Sequence, residues 1–233
     1  MCSSDLFWMW YFYKKDTLEP EPQSCIIKTF LLGALVGIPV TLIELPFTFS
    51  EFILAVFVAP VIEEFAKYFV VRKTIYSNVE FDEPIDGIIY AAAAALGFAS
   101  LENISYLLSA YYQNHFEETY VVRALLSVPG HVLFSSMWGY ALGWKKFVAE
   151  EKGKSMVRNG LLLAFLCHGV FNVCALSAPI GSLGLLIFVP FLWRIFHKRI
   201  AEDIARSPFN IRNAGEIPST NDIDNTTSEK NSL

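Results

Sequence analysis

Glu63, Glu64 and Lys67 stand in the middle of an apolar stretch, FVAPVIEEFAKYFVVRK, that runs from Phe57 to Lys73. On a helix the lysine is four residues from Glu63 and three from Glu64, so it can pair with either carboxylate. Pairing makes one glutamate the counterion of the lysine and leaves the other free to exchange protons, and a carboxylate so poised can deprotonate water. The spacing leaves open which of the two does so. Three more apolar runs carry polar groups: Glu102 and Asn103 in LGFASLENISY, His131 in SVPGHVLFSS, and His168 with Asn172 in CHGVFN. His168 and Asn172 are four apart and present an imidazole and a carboxamide on one face. Neutral donors of that kind stabilise the oxyanion formed when water attacks a carbonyl. Together these groups suffice, chemically, to hydrolyse a peptide bond.

The elements that hold them are expected to be membrane helices. Of the 233 residues 54% are hydrophobic and only 18% charged, against about a quarter charged in soluble domains. The charges also cluster between apolar runs. The reading is an all-α, polytopic transmembrane helical bundle with about six spans and a short N-terminal apolar helix. The apolar segments lie at about 27–47, 52–71, 85–110, 122–144, 158–178 and 182–197, and most have the roughly 20 residues a span needs. Residues 6–13 (LFWMWYFY) are too few to cross a core about 30 Å thick, and read as an interfacial anchor or the end of a longer helix. Residues 1–28 are this stub and the polar linker KKDTLEPEP, 29–200 the catalytic domain, and 201–233 a disordered tail, whose sequence loses all hydrophobic periodicity from about Arg206. Pro39, Pro60, Pro129 and Pro179 are expected to kink or end helices. Ala91–Ala95 and Gly97 form a close-packing face for another helix. The four cysteines have neither metal-ligand nor disulfide spacing.

Positive charge sets the orientation. With Lys14, Lys15 and Lys28 in the cytoplasm and six alternating spans, sixteen of the eighteen Lys and Arg fall on the cytoplasmic side. The exceptions are Lys67, inside a span, and Arg123, at an outer helix end. A multi-pass cell-membrane protein with a cytoplasmic tail follows. At 1.5 Å per residue, Glu63 lies roughly 18 Å, Glu102 roughly 12 Å, His131 roughly 13 Å and His168 roughly 15 Å below the outer ends of their helices. Antiparallel helices thus bring carboxylates and imidazoles to one layer.

Each residue also has a plainer structural role open to it. The Glu–Glu–Lys group can be an ion-pair cluster, His131 and Asn103 can bridge helices, and Asp86 can cap the helix it begins. Arg123 can anchor at the interface or hold a substrate backbone or carboxylate. His115 and His197 suggest no function. Intramembrane charges mark function by default because each costs several kcal/mol. A proton-coupled transporter could use the same carboxylates as a relay, but the inverted repeat many transporters carry is not found. No nucleic-acid partner is expected.

These residues carry a family likeness. YFYKKDTLEPEP, EEFAK at Glu63–Lys67, DGIIYAAAAALGFASLENISY at Asp86–Tyr106, RALLSVPGHVLFSSMWGYALG at Arg123–Gly143 and HGVFN at His168–Asn172 cover most of residues 11–175 in order. The chain resembles the PrsW intramembrane proteases, relatives of the CPBP superfamily that includes the CAAX prenyl endopeptidases. The resemblance implies an endopeptidase with Glu63 and Glu64 as the water-activating pair and His168 with Asn172 near the oxyanion. The relatives' F-x-x-x-H reads Phe98-x-x-x-Glu102 here, and His131 on the next span completes the set. Lys67, Asn103, Asp86 and Arg123 would support it. Metal-free catalysis ranks ahead, since Lys67 would repel a divalent cation; a zinc ion, if present, would take Glu64, Glu102, His131 and His168. The resemblance also implies a membrane-anchored substrate, of the anti-sigma-factor type, cut in its extracytoplasmic part. The N-terminal helix is shorter than the family pattern.

Overall fold

The computed structural model describes residues 3–177 and 179–210, which form helices and turns with no strand among them. In order these are α1 (Ser3–Tyr13), α2 (Gln23–Glu44), α3 (Glu51–Ile53), α4 (Ala59–Thr74), α5 (Asp86–Tyr112), α6 (Phe116–Val122), α7 (Val128–Trp144), α8 (Glu150–Leu176) and α9 (Ile180–Ala205). A π-helical segment, Leu54–Val58, joins α3 to α4, and another, Arg123–Ser127, joins α6 to α7. Each joined pair is one continuous rod, so six long rods match the six expected segments. Five of them are long and apolar enough to cross a membrane. The sixth, residues 51–74, is too charged, because every 18-residue window in it contains Glu63, Glu64 and Lys67.

The alanine run explains the centre of the bundle. Ala91–Ala95 are almost wholly buried, and α5 is 83% buried over its apolar window, against 28–33% for α2, α8 and α9. Small residues let backbones approach closely. A Cβ added at Gly97 would strike the Phe30 carbonyl oxygen, and one at Gly33 the Ala94 oxygen, so α2 lies directly on α5. On the other side Gly87 meets the Gly139 oxygen and Gly143 the Pro84 oxygen, which seats α7. The outer face of α2 instead shows Ile27, Leu31, Leu35, Ile38 and Leu42, the pattern of a helix solvated by lipid.

Both π segments have the same cause. In each, the backbone bonds run five residues back: Ala59 N–H to the Leu54 oxygen, and Val128 N–H to the Arg123 oxygen. The next donor in register would be residue 60 or 129, and both are proline, which has no N–H. That leaves the Ala55 and Ala124 carbonyls without a main-chain partner in that register. Side chains from other helices supply the missing hydrogens: Asn172 Nδ2 donates to the Ala55 oxygen at 2.7 Å, and Trp8 Nε1 to the Ala124 oxygen at 2.8 Å. Neighbouring helices repair proline breaks in this way where no water is present.

Two expectations need correction. Residues 6–13 do not stand apart from the bundle. They belong to α1, which is docked in the bundle: Trp8 caps Ala124, Phe12 stacks on Trp193 with ring centres 5.7 Å apart, and Asp5 is buried against Ser100 and Asn103. The tail also begins later than residue 201. Helix α9 continues to Ala205, and the buried Asp203 accepts from Trp144 Nε1 at 2.6 Å. The expected tail beyond residue 210 lies outside the described residues.

At the end of the bundle that gathers the basic residues, the linker after α1 and the turn before α5 bury acidic groups. Burial raises the Asp16 carboxyl from 3.8 to about 6 and the Glu83 carboxyl from 4.5 to about 7. A carboxyl whose pKa is raised on folding costs no stability below its unfolded pKa and an increasing amount as pH rises from there through its folded pKa. With metal ions chelated, the melting temperature of the purified protein is therefore expected to fall as pH rises from about 5 to 8. Packing gives a second expectation: Gly97→Val forces α2 from α5 and lowers stability by roughly 3 kcal/mol, the upper part of the overpacking range, readable as lost thermal stability in micelles.

Candidate active site

The π segment above α4 and Pro60 at its start set the direction in which α4 delivers its ionisable groups. Lys67 is completely buried. Its Nζ stands 2.8 Å from Glu64 Oε1, 3.3 Å from Glu63 Oε2 and 3.0 Å from His131 Nδ1, and 4.4 Å from the centre of the Phe98 ring. An ammonium has only hydrogens to offer, so His131 Nδ1 accepts and the imidazole proton belongs on Nε2. Nε2 faces Glu102 Oε2 at 3.0 Å. The same carboxylate oxygen accepts from Arg123 Nη2 at 2.6 Å, while Arg123 Nε donates to Asn103 Oδ1 and the guanidinium lies over Tyr106. Asn103 Nδ2 then reaches Asp5 Oδ1 at 3.3 Å. One polar chain thus runs from α4 through α7 and α5 to α1.

The two glutamates are not equivalent. Glu64 is sealed in: its Oε2 accepts from Ser135 Oγ at 2.7 Å and Trp138 Nε1 at 3.0 Å, and its Oε1 faces Lys67. His168 Nδ1 lies 3.4 Å from that same Oε1. Glu63 instead lines a cavity of about 650 Å³, together with Glu102, Arg123, His131, His168 and Asn172. Glu64 and Lys67 are absent from its walls. The cavity extends past Glu51, Glu118 and Leu176 at the acidic end of the rods. A peptide in extended form would find at this layer the carboxylates of Glu63 and Glu102, two imidazoles and a guanidinium.

Of the ten residues singled out in the sequence, nine converge on this layer. Asp86 does not: it begins α5, sixteen residues and roughly 24 Å before Glu102. There its Oδ2 accepts from the Asp82 and Glu83 N–H groups at 2.7 Å each, which is a capping role on the preceding turn. Arg123 is buried in the cavity wall rather than placed at an interface. Asn172 borders the cavity, but its amide nitrogen is held by the Ala55 carbonyl. Sequence reasoning missed Asp5, Ser135, Trp138 and Glu44, the last of which also lines the cavity. Ser135 and Trp138 look like ordinary core residues, although their four- and seven-residue steps from His131 mark the same helical face.

The donor set matches a divalent metal in kind, although Lys67 already stands on His131 Nδ1 and Glu63 Oε2 and would have to withdraw from both. Glu63, His131 and His168 each offer an atom within 4.8 Å of the other two. Two imidazoles and one carboxylate are a known catalytic zinc set. The His131 Nε2–Glu102 contact is the outer-shell partner that orients such a ligand. His168 Nδ1 is buried without a hydrogen bond. The triad contains Glu63, not the Glu64 expected from sequence, and Glu102 stands behind His131 rather than beside it.

Carboxylates and imidazoles around a cavity enclosed by spanning helices are the makings of an intramembrane hydrolase, and sequence comparison defines that class. A profile described as "PrsW family intramembrane metalloprotease" matches residues 21–195. Proteins named Protease PrsW are similar over most of their length. Those of Geobacillus kaustophilus and Oceanobacillus iheyensis are each 39% identical, over 78% and 79% of this chain and 81% and 85% of theirs. That of Bacillus subtilis is 32% identical over 78% of this chain and 84% of its own. No solved structure matches. The chain belongs to the PrsW family of intramembrane proteases; it is a multi-pass membrane peptidase.

The charge balance of the site has a direct test. Lys67→Met leaves two buried glutamates without their shared cation, and breaking a buried pair costs about 3–5 kcal/mol. The variant is expected to melt well below wild type in micelles, while Ser135→Ala, which removes one hydrogen bond to Glu64, costs only about 1–3 kcal/mol.

Proposed function

We propose that this peptidase cuts a membrane-anchored protein with water activated by Glu63. The observation that carries this reading is that Glu63, unlike Glu64, opens onto the cavity while its counterion Lys67 stays behind the wall. Glu63 takes a proton from water as the water oxygen bonds to the scissile carbonyl carbon. Arg123, whose guanidinium lines the cavity, is the donor available to the resulting oxyanion, while the His168 ring is held with Nδ1 toward Glu64. Glu63 then returns the proton to the amide nitrogen as the C–N bond breaks. Glu64 serves as a positioning residue that fixes Lys67 and His168.

With the basic ends of the rods in the cytoplasm, the cavity would open toward the outer leaflet and the C-terminal tail would be cytoplasmic. A cut in the extracytoplasmic part of a single-span regulator, of the anti-sigma-factor type, suits that geometry.

A second reading is favoured by the 4.8 Å grouping and by the profile's description as a metalloprotease. In it Glu63, His131 and His168 hold a divalent metal. Such an ion, when bound, supplies an acidic bound water and a Lewis acid. Lys67 would then keep Glu64 as its partner, and Glu102 would hold the His131 ring.

Cleavage of a single-span substrate in reconstituted vesicles tests both. Glu63→Gln and His168→Ala should each lower the rate about 10²–10⁴-fold while the protein stays folded; wild-type rates in both would sink the site. Full activity after exhaustive chelation supports the first reading. Loss restored by zinc supports the second.

A further inference from the structure

Far from the cavity, the linker, the turn before α5 and the first turn of α5 gather four buried carboxylates. Asp16, Glu21, Glu83 and Asp86 are all at most 4% exposed. Each has the partners its backbone provides and little more. Asp16 Oδ1 accepts from Leu18 N–H at 3.4 Å, Asp86 Oδ2 from two N–H groups at 2.7 Å, and Glu21 Oε2 from the Tyr90 hydroxyl. The other oxygens, Asp16 Oδ2, Glu21 Oε1, Asp86 Oδ1 and both of Glu83, are buried with no well-formed hydrogen bond, although Ser207 approaches Glu83 and the Glu21 and Asp86 carboxyls approach each other. Buried polar atoms are rarely left so. Five in one place on four acidic residues are a donor set that a cation would satisfy, and the neighbouring Lys146 gives its ammonium to the Phe81 carbonyl oxygen at 2.5 Å.

We infer that Asp16, Glu83 and Asp86, with Glu21 beside them, form a binding site for a hard divalent cation, Ca²⁺ or Mg²⁺. Oxygens of the first three lie within 4.8 Å of one another. Two oxygens on opposite sides of a calcium ion stand at most about 5 Å apart, so the spacing suits one ion at their centre. Oxygen-only donors select a hard ion over zinc. The enclosed, all-protein cage favours calcium, because magnesium holds on to its waters. A bound ion would tie the linker after α1 to the start of α5. With Ser207 also buried beside Glu83, it would tie in the end of α9 as well.

The test uses the full chain in detergent micelles after chelation. Adding Ca²⁺ or Mg²⁺ should raise the melting temperature by several degrees, and the ion giving the larger shift at equal concentration is the preferred one. Mn²⁺, followed by its paramagnetic resonance, should bind with one site that Glu83→Gln weakens about tenfold or more. His168→Ala should leave this binding intact, which separates the site from any metal at the cavity. Asp16→Asn, on the linker, provides a second variant should Glu83→Gln fail to fold. A melting temperature indifferent to both ions, or a response unchanged in a folded Glu83→Gln or Asp16→Asn variant, would overturn the inference.

Discussion

The ammonium of Lys67 is the interaction on which the rest of the site depends. It is the one cation shared by Glu63, Glu64 and His131; all four groups are buried, and of them only Glu63 and His131 open onto the cavity. A buried charge is tolerated only when paired and hydrogen-bonded. The pairing here also sorts the carboxylates. Ser135, Trp138 and Lys67 saturate Glu64, so the remaining glutamate is the one left facing the cavity. The histidine tautomer follows from the same contact, since a donor on one nitrogen sends the proton to the other.

A second constraint acts on the backbone. Pro60 and Pro129 each leave a carbonyl that the π register cannot satisfy, and each carbonyl is reached by a side chain from a distant part of the chain. Local chemistry and tertiary docking are thus linked: α8 is tied to the rod of α4 through Asn172, and α1 to the rod of α7 through Trp8. The amide that resembles an oxyanion donor is therefore partly a structural clamp.

Much of the fold was legible in the sequence because membrane helices obey a length rule and a charge rule that act locally. The six rods and the close face of Ala91–Ala95 followed from those rules alone. The layer of Glu63, Glu102, His131 and His168 followed from counting residues along antiparallel helices. What counting does not give is rotation about each helix axis. Glu63 and Glu64 are adjacent in sequence, and only the facing helices decide which is enclosed. Arg123 was left between two placements for a related reason, because a guanidinium at a helix end can turn outward to the interface or inward to Glu102. Asp5 was passed over because α1 is too short to be read as a span, although its aromatic residues dock it firmly.

The paired prolines have a consequence for the mouth of the cavity. A π turn held only by hydrogen bonds can slide along a helix as the ladder re-forms one residue further on. Here the pyrrolidine rings remove the hydrogens such migration needs, so the widened turns stay where they are. The two rods that flank the cavity mouth thus carry their widened turn at a position fixed by a covalent ring. The residues that line the mouth on these two rods, Leu54 and Ala55 on one and Arg123 and Ser127 on the other, therefore keep their place in the helical register.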